Sequence, residues 1–181
     1  SVGGGVFSIP RQTGKTYLVG WIVFALCIMF PDIMVIWTAH RVPTANQTFR
    51  NMRAMARNPK VRPYIETVRS TNGEQGIFFT NGSRILFGAR GQGFGLGFAK
   101  VEILVLDEAQ RLSQTAMDDM VPAVNAATVL GLVFLFGTPP RPSDDGEVFT
   151  TRRQEALDGD PDTLYVEFSA DQDAQIDPLD W

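Results

Sequence analysis

The run Pro10-Arg11-Gln12-Thr13-Gly14-Lys15-Thr16 carries the most specific chemistry in the sequence. A short apolar stretch, Val6-Phe7-Ser8-Ile9, comes before it and a helical stretch after it. Binding a polyphosphate needs inward-turned backbone N–H groups and a helix N-terminus aimed at the anion. It also needs a lysine for the β/γ oxygens and a hydroxyl for magnesium. Gly14, Lys15 and Thr16 supply the end of that device, and Arg11, Gln12 and Thr13 its loop. The start departs from the usual pattern, because the first glycine would fall at Ile9. A Gly-Lys-Thr triplet is common by chance; the flanking strand and helix give it weight.

A second constellation is Ile103-Leu104-Val105-Leu106-Asp107-Glu108. An apolar run of this length reads as a strand buried on both faces, with two carboxylates at its tip. In phosphoryl-transfer sites the aspartate holds the Mg²⁺ shell and a following glutamate polarises the attacking water. Two acids at a strand end can also be solvated caps. The order of the two motifs favours catalysis, and their strands are expected to be neighbours in one sheet, sharing one ligand. A third feature is Gly137-Thr138-Pro139, after the apolar run 130–136. A small polar residue there would lie near the γ-phosphate and could report its loss, although as a turn alone it means little.

The elements that must position these residues alternate between strand and helix. Residues 15–30 read as a helix that is apolar almost all round and therefore buried, broken by Pro31-Asp32. Residues 33–37 have strand character, and 44–57 form an amphipathic helix. Asn81-Gly82 between 77–80 and 83–87 predicts a hairpin with a two-residue turn. The glycine-dense stretch 88–97 is expected to be a mobile loop. Residues 113–127 are expected to be helical in two pieces, because Pro122 interrupts them. A helix near 147–157 and a strand near 164–168 follow. This predicts an α/β fold, a P-loop NTPase of the RecA-like type. Its mainly parallel central sheet would be flanked by helices and carry an added β-hairpin.

Composition bounds the rest. With 181 residues, 44% hydrophobic and 20% charged, one domain is expected. The single cysteine, Cys27, excludes a disulfide framework, fits a reducing intracellular setting and reads as a buried thiol. No Cys/His cluster offers a zinc site. The apolar run 17–30 is too short to span a membrane. Net charge is −4, but residues 41–69 hold seven basic residues against one acid, while 144–181 hold twelve acids against two bases. Arg50, Arg53 and Arg57 share a helix face that could hold a phosphate backbone, contact the acidic region of a neighbouring subunit, or simply be solvated. His40, the only histidine, reads as a surface residue, and Trp21 and Trp37 as core.

Taken together, the sequence resembles the ATPase domain of the large terminase subunit, the DNA-packaging motor of tailed bacteriophages. The resemblance rests on the arginine-containing phosphate loop without a leading glycine and on Thr38-Ala39-His40-Arg41. It rests also on Asn81-Gly82-Ser83-Arg84-Ile85 leading through Arg90-Gly91 into Leu106-Asp107-Glu108-Ala109-Gln110, and on Gly137-Thr138-Pro139-Pro140. It implies that Lys15 and Thr16 bind phosphates and Mg²⁺, and that Arg11 senses the γ-phosphate. Asp107 would be the Mg²⁺-side carboxylate and Glu108 the catalytic base, and Gly137-Thr138 would couple hydrolysis to movement. It further implies ATP as ligand and double-stranded DNA as the polymer moved. A homo-oligomeric ring, a portal protein and a small terminase subunit would be partners, and the infected bacterial cytoplasm the setting. In such a ring an arginine completes the next subunit's site; Arg90 is the candidate, Arg84 the second choice. Residues 1–168 would form the ATPase domain and 169–181 an acidic linker toward a nuclease domain outside this chain. The stretch before the phosphate loop is too short for the family's adenine contacts, so weak nucleotide affinity is expected. Two other classes compete: the first RecA-like lobe of a helicase or translocase, and a nucleotide-binding module that is inactive in isolation.

Overall fold

Apolar runs at 33–37, 103–106 and 130–136 can hide both faces only by pairing side by side beneath helices on each side, and that is how the chain folds. The structure is a computed structural model that describes residues 3–10, 14–71, 73–138 and 146–168. Its strands are β1 (Gly3–Ser8), β2 (Met34–Ala39), β3 (Ile65–Arg69), β4 (Gly76–Phe79), β5 (Arg84–Ala89), β6 (Ile103–Asp107), β7 (Leu132–Gly137) and β8 (Thr163–Glu167). Its helices are α1 (Lys15–Met29), α2 (Val42–Ala56), α3 (Gln114–Asn125) and α4 (Glu147–Leu157). The strands form one sheet in the order β3-β4-β5-β2-β6-β7-β1-β8. From β5 to β8 every pairing is parallel; β3, β4 and β5 pair antiparallel.

Strand alternation sorts the core into two layers. Val35, Trp37, Ile103, Val105, Phe134 and Phe136 face α1 and α2. Met34, Ile36, Leu104, Leu106, Val133 and Leu135 face α3 and α4. Cys27 is buried in the first layer, and burial pushes its thiol pKa far up.

Several expectations need correction. Helix α1 is not buried all round: Val19, Gly20, Val23, Phe24 and Cys27 form its buried face, while Tyr17, Leu18 and Met29 are exposed. Apolar composition does not create neighbours, and α2 covers only one side of it. Trp37 is core, but Trp21 is only partly buried at its edge. The hairpin connection is three residues, Thr80-Asn81-Gly82, since only Gly82 takes a positive φ. It is closed by Phe79 N–H to the Ser83 carbonyl at 2.8 Å and Gly82 N–H to the Phe79 carbonyl at 3.1 Å. Asn81 is engaged elsewhere: its Nδ2 donates to the Cys27 carbonyl at 2.8 Å, and Ser83 Oγ donates to the Phe30 carbonyl at 2.8 Å. The hairpin tip therefore satisfies carbonyls that the end of α1 leaves open. Strand β3, too polar to read from periodicity, extends the hairpin to three strands.

The glycine-dense stretch has a defined path. β5 runs to Ala89, a 3-10 turn covers Arg90–Gln92, and the Phe94 and Phe98 rings meet edge-on at 5.6 Å over the second core. Helix α3 passes through Pro122 as one piece, its start capped by Ser113 Oγ accepting from Ala116 N–H at 3.2 Å. The expected linker 169–181 lies outside the described residues.

A buried carboxylate that the sequence did not single out ties β6 to β7. Glu102 accepts hydrogen bonds from the backbone N–H groups of Thr128, Val129 and Leu130 at 3.0, 3.1 and 2.8 Å. Burial works against its charge, but these N–H groups outweigh it and hold the pKa below the ordinary glutamate value. A depressed folded-state pKa adds stability that is complete above the unfolded pKa and is lost as pH falls through the folded one. Glu102→Gln should therefore cost about 1–3 kcal/mol at pH 7. In denaturant titrations the gap from wild type should narrow as pH drops below the ordinary glutamate range.

Candidate nucleotide site

Because β5, β2, β6, β7, β1 and β8 run parallel, their C-terminal ends share one edge of the sheet, where open α/β sheets place ligands. That edge gathers the loop after β1, Gly137-Thr138 after β7, Asp107-Glu108 at the end of β6, Ala39-His40 after β2 and Arg90 after β5. The strands of the two principal motifs are not neighbours as expected. β7 lies between them, with Ser8 opposite Gly137 and Asp107 opposite Phe136. β7 is apolar along its length and finds burial on both sides only in that central position. Two strand spacings, about 9–10 Å, therefore separate β1 from β6.

Arg11, Gln12 and Thr13 lie outside the described residues. Gly14 caps α1 at φ 85° and ψ 16°, a left-handed conformation that suits glycine. The first turn of α1 holds no acidic residue, and its dipole favours an anion at this end. The Lys15 ammonium donates to the Ile9 carbonyl at 2.6 Å and the Pro10 carbonyl at 3.2 Å. Thr16 follows in the same turn and is partly buried. Ile9 N–H donates to the Gly137 carbonyl at 3.1 Å, so the tip of β7 braces the loop.

Asp107 is buried. Its Oδ1 accepts the Glu108 N–H at 2.8 Å, and its Oδ2 accepts from Thr48 Oγ1 at 3.4 Å. Burial raises its pKa to about 6; the Glu108 N–H opposes this, the Glu108 charge adds to it, and Arg90 and Lys15 pull it down. A cation beside this carboxylate would reverse the penalty of burial. Glu108 takes φ 54° and ψ 44°, and its buried Oε2 meets no hydrogen-bond donor among the described residues. A carboxylate oxygen held without a partner at a strand tip suits a water or ligand group. No cluster of three or more metal-ligating side chains exists among the described residues. A Mg²⁺ held by one carboxylate, one hydroxyl and phosphate oxygens needs none, so the donor set fits Mg²⁺ bound with nucleotide.

Other residues are placed differently from expectation. Arg90, expected to reach a neighbouring subunit, is turned into its own. Its Nη1 donates to the Thr38 carbonyl at 3.0 Å and hydroxyl at 2.9 Å, and its Nη2 to the Asp107 carbonyl at 2.8 Å. Burial lowers its pKa to about 10, with Asp107 and Glu108 opposing, so it stays charged near neutrality. His40 is half-buried, its pKa lowered first by burial and then by Arg90. Arg50, Arg53 and Arg57 differ in their surroundings. Arg50 donates to Gln47 at 2.7 Å, whereas Arg53 and Arg57 line a cleft of about 360 Å³ with Arg62 and Ser70.

The sequence assigned no site role to Thr48, or to Gln110 at the end of the Asp-Glu motif. Thr48 sits among Ala45, Phe49, Met52, Met55 and Ala56 on the buried face of α2, and a lone polar residue on an apolar stripe was the available signal. Gln110 is buried, and its Oε1 accepts the Thr138 N–H at 3.4 Å. A β-carbon on Gly137 would come within 2.4 Å of that oxygen, so glycine is what lets the Asp-Glu turn meet the tip of β7.

No protein-family model and no curated protein matches the sequence. Solved structures do. The HK97 bacteriophage large terminase superposes with a TM-score of 0.79 at 17% identity, over 97% of this chain and 37% of that one. A mutant ATPase domain of the Thermus phage P74-26 large terminase gives 0.74 at 14% identity, over 93% and 77%. The large terminase of another thermophilic bacteriophage, in complex with ADP, gives 0.67 at 16% identity, over 92% and 40%. This chain thus spans little more than a third of the full HK97 protein but most of the isolated P74-26 domain. Its fold is that of the ATPase domain of bacteriophage large terminases.

Proposed function

We propose that this chain is a Mg²⁺-dependent ATPase, the motor domain of a terminase large subunit that moves double-stranded DNA into a procapsid. One observation carries the reading: the helix N-terminus with Lys15, and the Asp107-Glu108 turn, whose carboxylate oxygen has no partner among the described residues, lie at one edge of the sheet. The ADP complex of the thermophilic phage's large terminase, which shares the fold, supports a nucleotide there.

In this reading Lys15 leaves the Ile9 and Pro10 carbonyls and binds the β/γ-phosphate oxygens, while the first turn of α1 supplies N–H groups. Thr16 and Asp107 would hold Mg²⁺, which when bound neutralises charge on the phosphates. Glu108 orients the attacking water and takes its proton. Arg11 senses the γ-phosphate. Gly137 and Thr138, braced on Ile9 and Gln110, relay its loss toward the DNA-holding parts of a ring. The cleft lined by Arg53, Arg57 and Arg62 holds duplex phosphates without reading bases. Portal protein and small terminase subunit complete the machine in the host cytoplasm. No helix among the described residues is long and apolar enough to cross a membrane.

Lys15→Ala should abolish Mg-ATP binding in calorimetry and turnover in a phosphate-release assay. Glu108→Gln should keep binding and lower kcat by about 10²–10⁴-fold. Retained turnover in both variants would refute the assignment. Duplex DNA should stimulate wild-type turnover. Replacing Arg53, Arg57 and Arg62 by alanine should weaken DNA binding across all sequences. The salt slope of binding should flatten by about one unit for each phosphate that is no longer held.

A further inference from the structure

We infer that Arg90 is a positioning residue of its own subunit's site: it pins the peptide between Asp107 and Glu108 and so aims the Glu108 carboxylate. The inference rests on the ATPase reading for its consequence and on geometry for its substance. The β2–β6 ladder ends at Thr38 opposite Leu106. Beyond it, the carbonyls of Thr38 and Asp107 are both taken by one guanidinium, at 3.0 and 2.8 Å, and the Thr38 hydroxyl is added at 2.9 Å. The other half of the same peptide, the Glu108 N–H, is held by Asp107 Oδ1 at 2.8 Å. Carbonyl and N–H of one peptide are thus fixed by two separate groups. The residue that follows stands at φ 54°, which side-chain-bearing residues avoid, so its orientation depends on such anchoring.

Only a planar fork can span two strand-end carbonyls and a hydroxyl; a lysine ammonium keeps the charge without the span. Arg90 also cannot hold these acceptors and stand at a neighbouring subunit's phosphates at once. Leaving the site would free the Asp107 carbonyl and with it the turn that presents Glu108.

The test uses the full chain. Arg90→Ala and Arg90→Lys are compared with wild type for melting temperature, Mg-ATP affinity, steady-state turnover with duplex DNA, and amide hydrogen exchange at Glu108. Both variants should lower kcat by about 10–100-fold, within the range of misplacing one catalytic group. The ATP dissociation constant should stay within about twofold, and exchange at Glu108 should speed up. Lysine should not rescue, and it carries the test if the alanine variant fails to fold. Mixing Arg90→Ala with Glu108→Gln subunits should restore no turnover. Unchanged exchange at Glu108 in Arg90→Lys, or turnover restored by mixing, would overturn the inference. If wild type proves inactive, the ATPase reading fails, while the exchange arm still decides what Arg90 holds.

Discussion

Where the chain leaves β6 it must turn through a left-handed residue that is not glycine, directly after the buried carboxylate of Asp107. Three groups make that tolerable: Arg90 on the Asp107 carbonyl, Asp107 Oδ1 on the Glu108 N–H, and Thr48 on Asp107 Oδ2. Each comes from a different part of the chain, so the turn exists only once β5, α2 and β6 are assembled. At the opposite end of the same strand, Glu102 gathers the three N–H groups of the 128–130 loop. β6 is thus fixed at both ends by buried carboxylates, and its neighbours take their register from it.

That central strand explains the layout around it. Apolar β7 must be covered on both edges, so it enters between β1 and β6 and separates the lysine strand from the acidic strand. The separation puts Gly137 and Thr138 in the middle. There the β7 tip touches the phosphate loop through Ile9 and the Asp-Glu turn through Gln110. A change at either motif has a short hydrogen-bonded route to the other through that strand tip.

Much of this was legible in the sequence because it is written in local terms. Apolar runs with acidic or glycine-containing tips marked β6 and β7, and a Gly-Lys-Thr triplet after a strand marked the start of α1. Strand order was not legible, since it depends on which apolar edges compete for the centre. Asn81 read as a turn residue and Ser83 as the start of a strand, but their bonds go to the end of α1, more than fifty residues away in sequence. Arg90 sat in a glycine-rich stretch that looked mobile. Phe94 and Phe98 fasten that stretch to the core, and the arginine turns inward as a result. The role of Glu102 was not legible, because its partners lie in a loop without any pattern.

The most direct measurement is a structure of this chain with Mg²⁺ and a non-hydrolysable ATP analogue. The Lys15 ammonium should have moved from the Ile9 and Pro10 carbonyls onto phosphate oxygens, with the metal between Thr16 and Asp107. Glu108 should face the γ-phosphate across one water. An analogue bound elsewhere, or Lys15 still seated on the loop carbonyls beside it, would rule out this edge of the sheet as the ATP site.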